Sequence, residues 1–488
     1  MSEQSNTNKA LHAVSSQAVV TIGLGVVEIL AFSIMSRLLT KSDFGYYASI
    51  SAIVGIFTIL SESGIGSSVI QSKKADSRLI NNAFTNCLIL GLFLSLILFS
   101  FSGIIAQVVA DISMKLPLML ISGTLVLNSL SSISRSILVR QLKLLKVGMI
   151  NLVSLIISSI VSITLAYCGF GYYAILCHAI LRSIITFVWY FIDAKTRFRL
   201  AFDKDIFKSI WSFSGWLTAS SLFRQLAQQI DKLLMPRMLS IEALGAYNRP
   251  KEFVGNIASK VNGIFDTALF PVLSGIQEKK SSLQNAFNNA LSLMNIGGTV
   301  LSLAFFFNSE LLIRIFFGEQ WLELDSIFKI FAVSIMFNVN GRLADCYLRS
   351  LGLTKTQFYF RVAESITKIL AVIVGARWNL YGVALAVVLA DIILKLVKIF
   401  FVGHEIDLSA KHTCLIILKS WRFIFFFLPI IILAALCFAH SWQGNVLLAV
   451  VFCLVLLFLF VGCPSAIGSI YEREFLPKIY RFMRIRRS

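Results

Sequence analysis

Charge is scarce in this chain. Asp, Glu, Lys and Arg make up only 14% of its 488 residues, where a soluble protein needs roughly a quarter to cover its surface. Hydrophobic residues are 57% and the mean hydropathy is +0.81, so the chain must be solvated by lipid. Proline is sparse too, at 7, which leaves long helices uninterrupted. The apolar runs do not alternate with polar residues, which excludes an outer-membrane barrel. None of the eight cysteines forms a Cys-x-x-Cys pair, and nearly all lie in or beside apolar runs as small core hydrophobes. Catalytic signatures are missing as well: no Gly-rich phosphate loop, no HExxH and no GxSxG occurs. Asp203-Lys-Asp205 has the form of a metal–nucleotide pair, but it sits in a short charged connection and reads as a solvated loop. His404 and Asp407 make no catalytic spacing. A glycan polymerase would want a large outer loop for its acceptor, and the longest outer connection covers only about residues 308–324. The chain therefore reads as a non-enzyme without metal or cofactor.

What charge there is leans basic, with 44 Lys and Arg against 25 Asp and Glu, a net +19. No basic cluster is interleaved with aromatics on a polar domain, so nucleic acid is not the partner. The excess belongs to membrane-flanking loops beside anionic lipid. A span needs about 20 apolar residues, and about fourteen segments between residues 14 and 465 meet that requirement. The polar start, residues 1–17, leads into a retained first span and not a cleaved signal, because no small-residue cleavage site follows it. With the N-terminus inside, the inner connections hold roughly four times the Lys and Arg of the outer ones. Both termini are then cytoplasmic, as an even number of spans requires.

The sequence repeats itself. Arg37–Tyr47, with Gly45, resembles Arg237–Tyr247, with Gly245, and Val54-Gly55 matches Val254-Gly255 at the same offset. Asn81-Asn82-Ala83 echoes Asn288-Asn289-Ala290, and Arg140–Lys146 echoes Arg349–Lys355. The matches keep their order. The expectation is an all-α integral membrane protein of two six-helix pseudo-repeat lobes plus two helices. Residues 1–200 form the first lobe, 201–405 the second, 406–466 the extra pair and 467–488 a basic cytoplasmic tail. Repeats of even span number enter the membrane from one side, an arrangement transporters use with the substrate path between halves.

Polar residues inside spans are the strongest functional signal, because a charge at mid-membrane costs roughly 2.5–3.5 kcal/mol on insertion scales and seeks a partner or water. The seventh span carries Arg224, Gln228 and Asp231 on one face, and Gln225, Gln229 and Lys232 on the next. The eighth carries Asn248, Lys251, Glu252, Asn256 and Lys260. The tenth and eleventh repeat one spacing: Asn338, Arg342, Asp345, Arg349, then Gln357, Arg361, Glu364, Lys368. Glu28 stands alone in the first span, and His178 pairs with Arg182 in the sixth. For Arg349, Lys395 and Lys398 the expectation is an internal ion pair or a snorkelling end. Arg224 and Lys260, deep in their spans, are expected to line a wet, net-cationic cavity suited to an anionic, polar cargo.

Several loose motifs occur in order. They are Arg37–Tyr47, Ser61-Glu-Ser-Gly-Ile-Gly-Ser-Ser-Val-Ile-Gln71, Phe213-Ser-Gly-Trp-Leu-Thr218, Ala246-Tyr-Asn248, Leu269-Phe-Pro-Val-Leu-Ser274 and Phe317-Gly-Glu-Gln-Trp321. Over about residues 10–405 the set resembles the bacterial polysaccharide-export flippases of the Wzx type. The likeness is strongest to the colanic-acid-exporter-like branch of the multidrug/oligosaccharidyl-lipid/polysaccharide exporter superfamily. That resemblance implies a two-lobed, V-shaped bundle of twelve helices plus two. It implies movement of an undecaprenyl-diphosphate-linked oligosaccharide across the bacterial inner membrane, with membrane lipids, a polysaccharide polymerase and glycosyltransferases as partners. It transfers no fixed set of residues, so the site rests on the polar stripes. Arg224, Lys251, Lys260 and Arg361 are the candidates for the anionic head group. Asn248, Asn256, Gln228 and Trp216 are the candidates for sugar hydroxyls and rings, and Glu28, Asp231, Asp345 and Glu364 for ion coupling or for neutralising those bases. A cation-coupled drug exporter of the same superfamily, or a membrane glycan polymerase or ligase, remains the alternative.

Overall fold

The computed structural model describes residues 20–21, 23–62, 64–71, 77–194, 199–201, 203–276 and 280–419. The extra spans expected within 420–466, the basic tail and the polar N-terminal stretch lie outside the described residues. So do some side chains within the helices, among them those of Trp216 and Lys260. Every regular element among the described residues is helical. In chain order they are α1 (23–38), α2 (Lys41–Glu62), α3 (Ile65–Gln71), α4 (Ser77–Ser100), α5 (Ser102–Val109), α6 (Lys115–Arg140), α7 (Leu144–Tyr167) and α8 (Tyr172–Ala194). There follow α9 (Lys204–Met238), α10 (Ile241–Gly275), α11 (Lys280–Phe307), α12 (Ser309–Phe316), α13 (Asp325–Ser350), α14 (Thr354–Gly375), α15 (Asn379–Glu405) and a final stretch, α16 (410–419).

Six helical segments among the described residues are long and apolar enough to cross a membrane. They are Lys41–Ile70, Ser77–Ser100, Ile112–Arg140, Leu144–Tyr167, Tyr172–Ala194 and Lys280–Phe307. Five of the six precede residue 200. The helices α9, α10, α13 and α14 are as long, but their polar stripes dilute the apolar run. The lipid-facing character is plain on α4, where Ile89, Leu92, Phe93, Leu96 and Phe99 are exposed at helical spacing. On its other face Ala83, Cys87 and Leu98 are fully buried. Such a helix is apolar all round because both its neighbours, protein and lipid, are apolar.

The element order is duplicated. An eight-residue helix and a short 3₁₀ turn precede α6, and the same pair precedes α13. The same pairs then pack: α4 on α6, α6 on α8 and α7 on α8 in the first repeat; α11 on α13, α13 on α15 and α14 on α15 in the second. The likeness extends to single atoms. Gly91 of α4 lets the backbone of α6 approach at Val126, and Gly298 of α11 does the same for α13 at Met336. One turn later Ser95 Oγ donates to Ser122 O at 2.9 Å, and Ser302 Oγ donates to Ala332 O at 2.8 Å. Small residues at the crossing and one hydroxyl across it are how helices join where the solvent gives no hydrophobic drive.

By packing, the chain divides into two compact units. One comprises Met1–Asn248 with Ile315–Gln320, the other Arg249–Arg314 with Trp321–Ser488. This boundary falls later in the chain than the lobe boundary expected near residue 200. The reason is that α9 packs along α2 and touches α3, α4 and α5, so it joins the first unit although it opens the second repeat. The core of the first unit gathers Ile50, Ile53 and Val54 of α2, Leu98 of α4, Leu118, Ile121 and Leu125 of α6 and Leu176 of α8.

Within the first unit the two copies of the repeated motif meet. A side chain on Gly45 would collide with the carbonyl of Ile241, and one on Gly245 with the carbonyl of Lys41. The contact is reciprocal, residue 45 against 241 and 245 against 41. Only glycine allows backbones this close. The arginines that open each copy are also matched. Arg37 Nη2 donates to Ile315 O at 2.8 Å and Arg237 Nη1 to Gln107 O at 3.1 Å. Each satisfies a carbonyl in the last turn of an eight-residue helix, which has no partner of its own.

Candidate functional site

The second unit holds a charged network across α13, α14 and α15. The i, i+3, i+4 spacing of each stripe aims its polar side chains at the neighbouring helix. Arg361 of α14 donates to Asp345 of α13 at 2.7 Å and to Glu364 on its own helix at 2.9 Å. Lys398 of α15 completes the group, 3.0 Å from Asp345 and 2.7 Å from Glu364. Its side chain is only 2% exposed, against 8% for Asp345 and 12% for Glu364. Two carboxylates thus face two cations, and the four side chains balance in charge. Further along the same helices Asp391 lies 3.4 Å from both Lys368 and Lys395, and Lys395 also donates to Asn338. A separate chain of amides lies in the same unit: Asn340 donates to Asn295 Oδ1 at 2.8 Å, and Asn295 to Ile417 O at 3.2 Å.

In the first unit the stripe on α9 splits in two. Asp231 is completely buried, and its carboxylate accepts from the hydroxyl of Tyr247 at 2.9 Å and from the amide of Lys232 at 3.1 Å. Arg224 and Gln228, on the same helical face, are exposed. Asn248 is buried with its side-chain carbonyl lacking a hydrogen bond, whereas Asn256 is exposed and Lys251 half-buried. Glu28 is exposed on α1.

Other polar groups of this unit gather at the α6–α7–α8 contact. Tyr190 donates to Asn151 Oδ1 at 3.0 Å, and Ser159 pairs with His178 at 3.4 Å. Arg135 of α6 and Arg182 of α8 both act electrostatically on the Tyr190 hydroxyl. Glu62, at the end of α2, feels the charge of Arg135.

Of the sequence candidates, the structure therefore joins Arg361, Asp345 and Glu364 in one network and couples Lys251 electrostatically to Asp391. Asp231 forms a separate buried contact with Tyr247. The side chains of Trp216 and Lys260 lie outside the described residues. Of the two outcomes expected for Lys395 and Lys398, an ion pair or a snorkelling end, both take the ion pair. Asp391, Glu62 and Arg135 were not singled out for a role in the sequence. Their only signal was a charge inside an apolar run, which does not say what it faces. Among the described residues no three His, Cys, Asp or Glu side chains converge as a metal site.

The comparisons with known proteins agree with this architecture. A lipopolysaccharide biosynthesis protein of Escherichia coli (strain K12), WzxC, is 23% identical over 419 residues, covering 85% of this chain and 84% of that protein. The teichuronic acid biosynthesis protein TuaB of Bacillus subtilis (strain 168) is 22% identical over 352 residues, covering 69% and 71%. Among solved structures, the lipid II flippase MurJ in an inward closed conformation superposes with a TM-score of 0.71 at 16% identity, over 93% of this chain and 99% of that one. The family model described as "Polysaccharide biosynthesis protein" matches residues 34–326, and the chain belongs to that family.

Proposed function

We propose that the protein is a flippase that carries undecaprenyl-diphosphate-linked oligosaccharide units from the inner to the outer leaflet of the bacterial inner membrane, for surface polysaccharide synthesis. It works by alternating access, without covalent chemistry. The observation that carries this reading is a duplicated helical architecture with charged layers inside its spans, in a chain of the polysaccharide biosynthesis family. Charges kept at that depth need a purpose beyond stability, since apolar residues pack there at lower cost. The relatives' names point the same way: one serves lipopolysaccharide and another teichuronic acid synthesis.

The full topology belongs to this proposal: fourteen spans, two six-helix lobes bounded near residue 200, two extra helices, and both termini in the cytoplasm. A polymerase and glycosyltransferases are its expected partners. The exposed Arg224, with Lys251 and Lys260, meets the anionic head group, and Asn256, Gln228, Asn248 and Trp216 meet the glycan. Glu28 and Asp231 supply counter-charge. Moving an anion outward against an inside-negative potential gains roughly 2.3 kcal/mol per charge per 100 mV, so a diphosphate is driven by the potential itself. The test is translocation of lipid-linked oligosaccharide in vesicles holding the purified protein. Transport that slows at least tenfold in Arg224→Ala and Lys260→Ala supports the assignment. A wild-type rate in both stably inserted variants removes those residues, and no transport by the wild type removes the function.

A further inference from the structure

Three helices of the first unit begin side by side. The starts of α2, α6 and α8 meet, because Tyr46 of α2 reaches both Ser113, just ahead of α6, and Tyr172, which opens α8. There three tyrosines form a stack. The rings of Tyr46 and Tyr172 lie 5.0 Å apart, inclined by 31°, and those of Tyr172 and Tyr173 lie 4.5 Å apart, inclined by 25°. Tyr172 is therefore the middle ring, and among the described residues no fourth ring extends the stack. The stack leans on the core that holds Ile50, Leu118 and Leu176. Asp43 pins it, accepting from the Tyr172 amide at 2.8 Å and from the Thr40 hydroxyl at 2.7 Å. Beside it stands exposed Asp111. Ser113 Oγ donates to the Asp111 carboxylate at 2.6 Å and lies 3.5 Å from the Tyr46 hydroxyl. The Ser113 hydroxyl and amide hold the Asp111 carboxyl below the ordinary carboxylate range, so it stays ionised.

The second repeat keeps little of this corner. Gly171 and Asn379 mark the same turn, with φ of 55° and 63°, so Tyr172 and Tyr173 correspond to Leu380 and Tyr381. Tyr46 corresponds to Ala246 in the repeated motif. The helices α6 and α13 begin at Lys115 and Asp325, and α7 and α14 at Leu144 and Thr354. This common offset pairs Arg135 with Asp345, Asn151 with Arg361, and exposed Asp111 with buried Trp321. The fold thus packs this corner without three rings or an exposed acid. Anchoring in the membrane does not explain them either. An interfacial anchor sets its ring among lipid headgroups, a description that fits Tyr167 and Phe170 on the adjoining connection, 82% and 55% exposed. The stacked tyrosines are half-buried, and the Tyr172 hydroxyl interacts with those of Tyr46 and Tyr173.

We propose that Tyr46, Tyr172, Tyr173, Asp111 and Ser113 form a sugar subsite, which takes one hexose ring of the glycan at the end of the first unit that the flippase reading places outside. The subsite deepens that reading, on which its place in transport rests. A pyranose ring has a face of C–H groups and a rim of hydroxyls. The C–H face packs on the electron-rich face of an aromatic ring, here one of the two end rings of the stack. The rim hydroxyls donate to the ionised Asp111 carboxylate, a charge-assisted bond. Ser113 and the tyrosine hydroxyls both donate and accept, which suits a ligand whose hydroxyls do the same.

The test is equilibrium binding to the full-length chain in nanodiscs. The probes are the methyl glycosides of glucose, galactose and N-acetylglucosamine, and undecaprenyl diphosphate, which carries no sugar. At least one glycoside should bind with a Kd of about 1 mM. Tyr46→Leu and Tyr173→Leu should each raise that Kd about tenfold, whereas Tyr173→Phe, which keeps the ring, should raise it less than about threefold. Asp111→Ala should raise it about fivefold. Tyr381→Leu, the matching change in the second repeat, should leave it unchanged, and undecaprenyl diphosphate should bind every variant as it binds the wild type. The subsite is wrong if none of the glycosides binds the wild type. It is equally wrong if the Tyr46→Leu/Tyr173→Leu double variant melts as the wild type does and binds the glycoside with unchanged Kd. Should the double variant fail to fold, Asp111→Ala decides, because Asp111 is exposed, and an unchanged Kd there overturns the subsite. A parallel loss of undecaprenyl diphosphate means that the tyrosines meet lipid, which also overturns it. A wild type that translocates oligosaccharide but binds no glycoside keeps the flippase reading and loses the subsite. One that binds a glycoside but translocates nothing keeps the subsite and loses the flippase reading.

Discussion

The equivalent polar layers of the two repeats differ in what holds them together. In the second, Arg361 and Lys398 are answered by Asp345 and Glu364, and every charge in the quartet has an opposite neighbour within 3.0 Å. In the first, Tyr190 and Asn151 share a neutral hydrogen bond, and Arg135 of α6 has no ion pair among the described residues. A duplicated fold thus keeps its packing while its charges diverge. The conserved part is the set of close helix crossings, such as those at Gly91 and Gly298. Crossings are fixed by backbone approach and tolerate little change. A polar layer can be rewritten one side chain at a time if its neighbours still satisfy it.

The contrast predicts unequal costs. Asp345→Ala should have the largest effect on stability, about 3–5 kcal/mol, because it leaves a buried lysine and arginine with one carboxylate between them. Unfolding monitored in detergent checks this. Arg135→Leu, at the equivalent position, should cost nothing or add stability; a loss like that of Asp345→Ala would break the comparison. Replacing the whole quartet, Asp345, Arg361, Glu364 and Lys398, with apolar residues of similar volume should return stability to near wild type. The next effect concerns the reciprocal glycines. Gly45→Ala and Gly245→Ala should each cost about 1–3 kcal/mol, since each new methyl meets a backbone carbonyl that cannot swing away. Equal melting shifts in the two variants would confirm that the contact is symmetric. Tyr247→Phe removes the hydroxyl that serves buried Asp231 and should cost about 1–3 kcal/mol, measured in the same way. The smallest effect is that of Ser95→Ala and Ser302→Ala. Each breaks one interhelical hydrogen bond, at about 0.6 kcal/mol apiece. A large difference between them would mean that the two crossings are not equivalent.

Much of the architecture was legible because its causes are local. Long apolar runs announced the helices, and the Arg37 and Arg237 motifs announced the duplication. The i, i+4 stripes on α13 and α14 announced polar faces. What the stripes met was not legible. Arg361 reads in the sequence as an available cation, yet Asp345 lies 16 positions before it and Lys398 37 positions after it, and only folding brings all three together. The stripe on α9 reads as one face, but Asp231 turns inward to Tyr247 while Arg224 and Gln228 remain exposed. Likewise Lys398, close to a helix end, had the reach to snorkel and instead lies buried between two carboxylates.

The sequence by itself determined that the chain lives in lipid, folds as helices and was built twice. Those properties follow from hydropathy, periodicity and self-similarity, which need no knowledge of neighbours. Tertiary structure alone decided which charges are neutralised and which stay open. A charge in a low-dielectric interior is defined by what lies within a few ångströms of it, and those few ångströms are spanned by residues far apart along the chain.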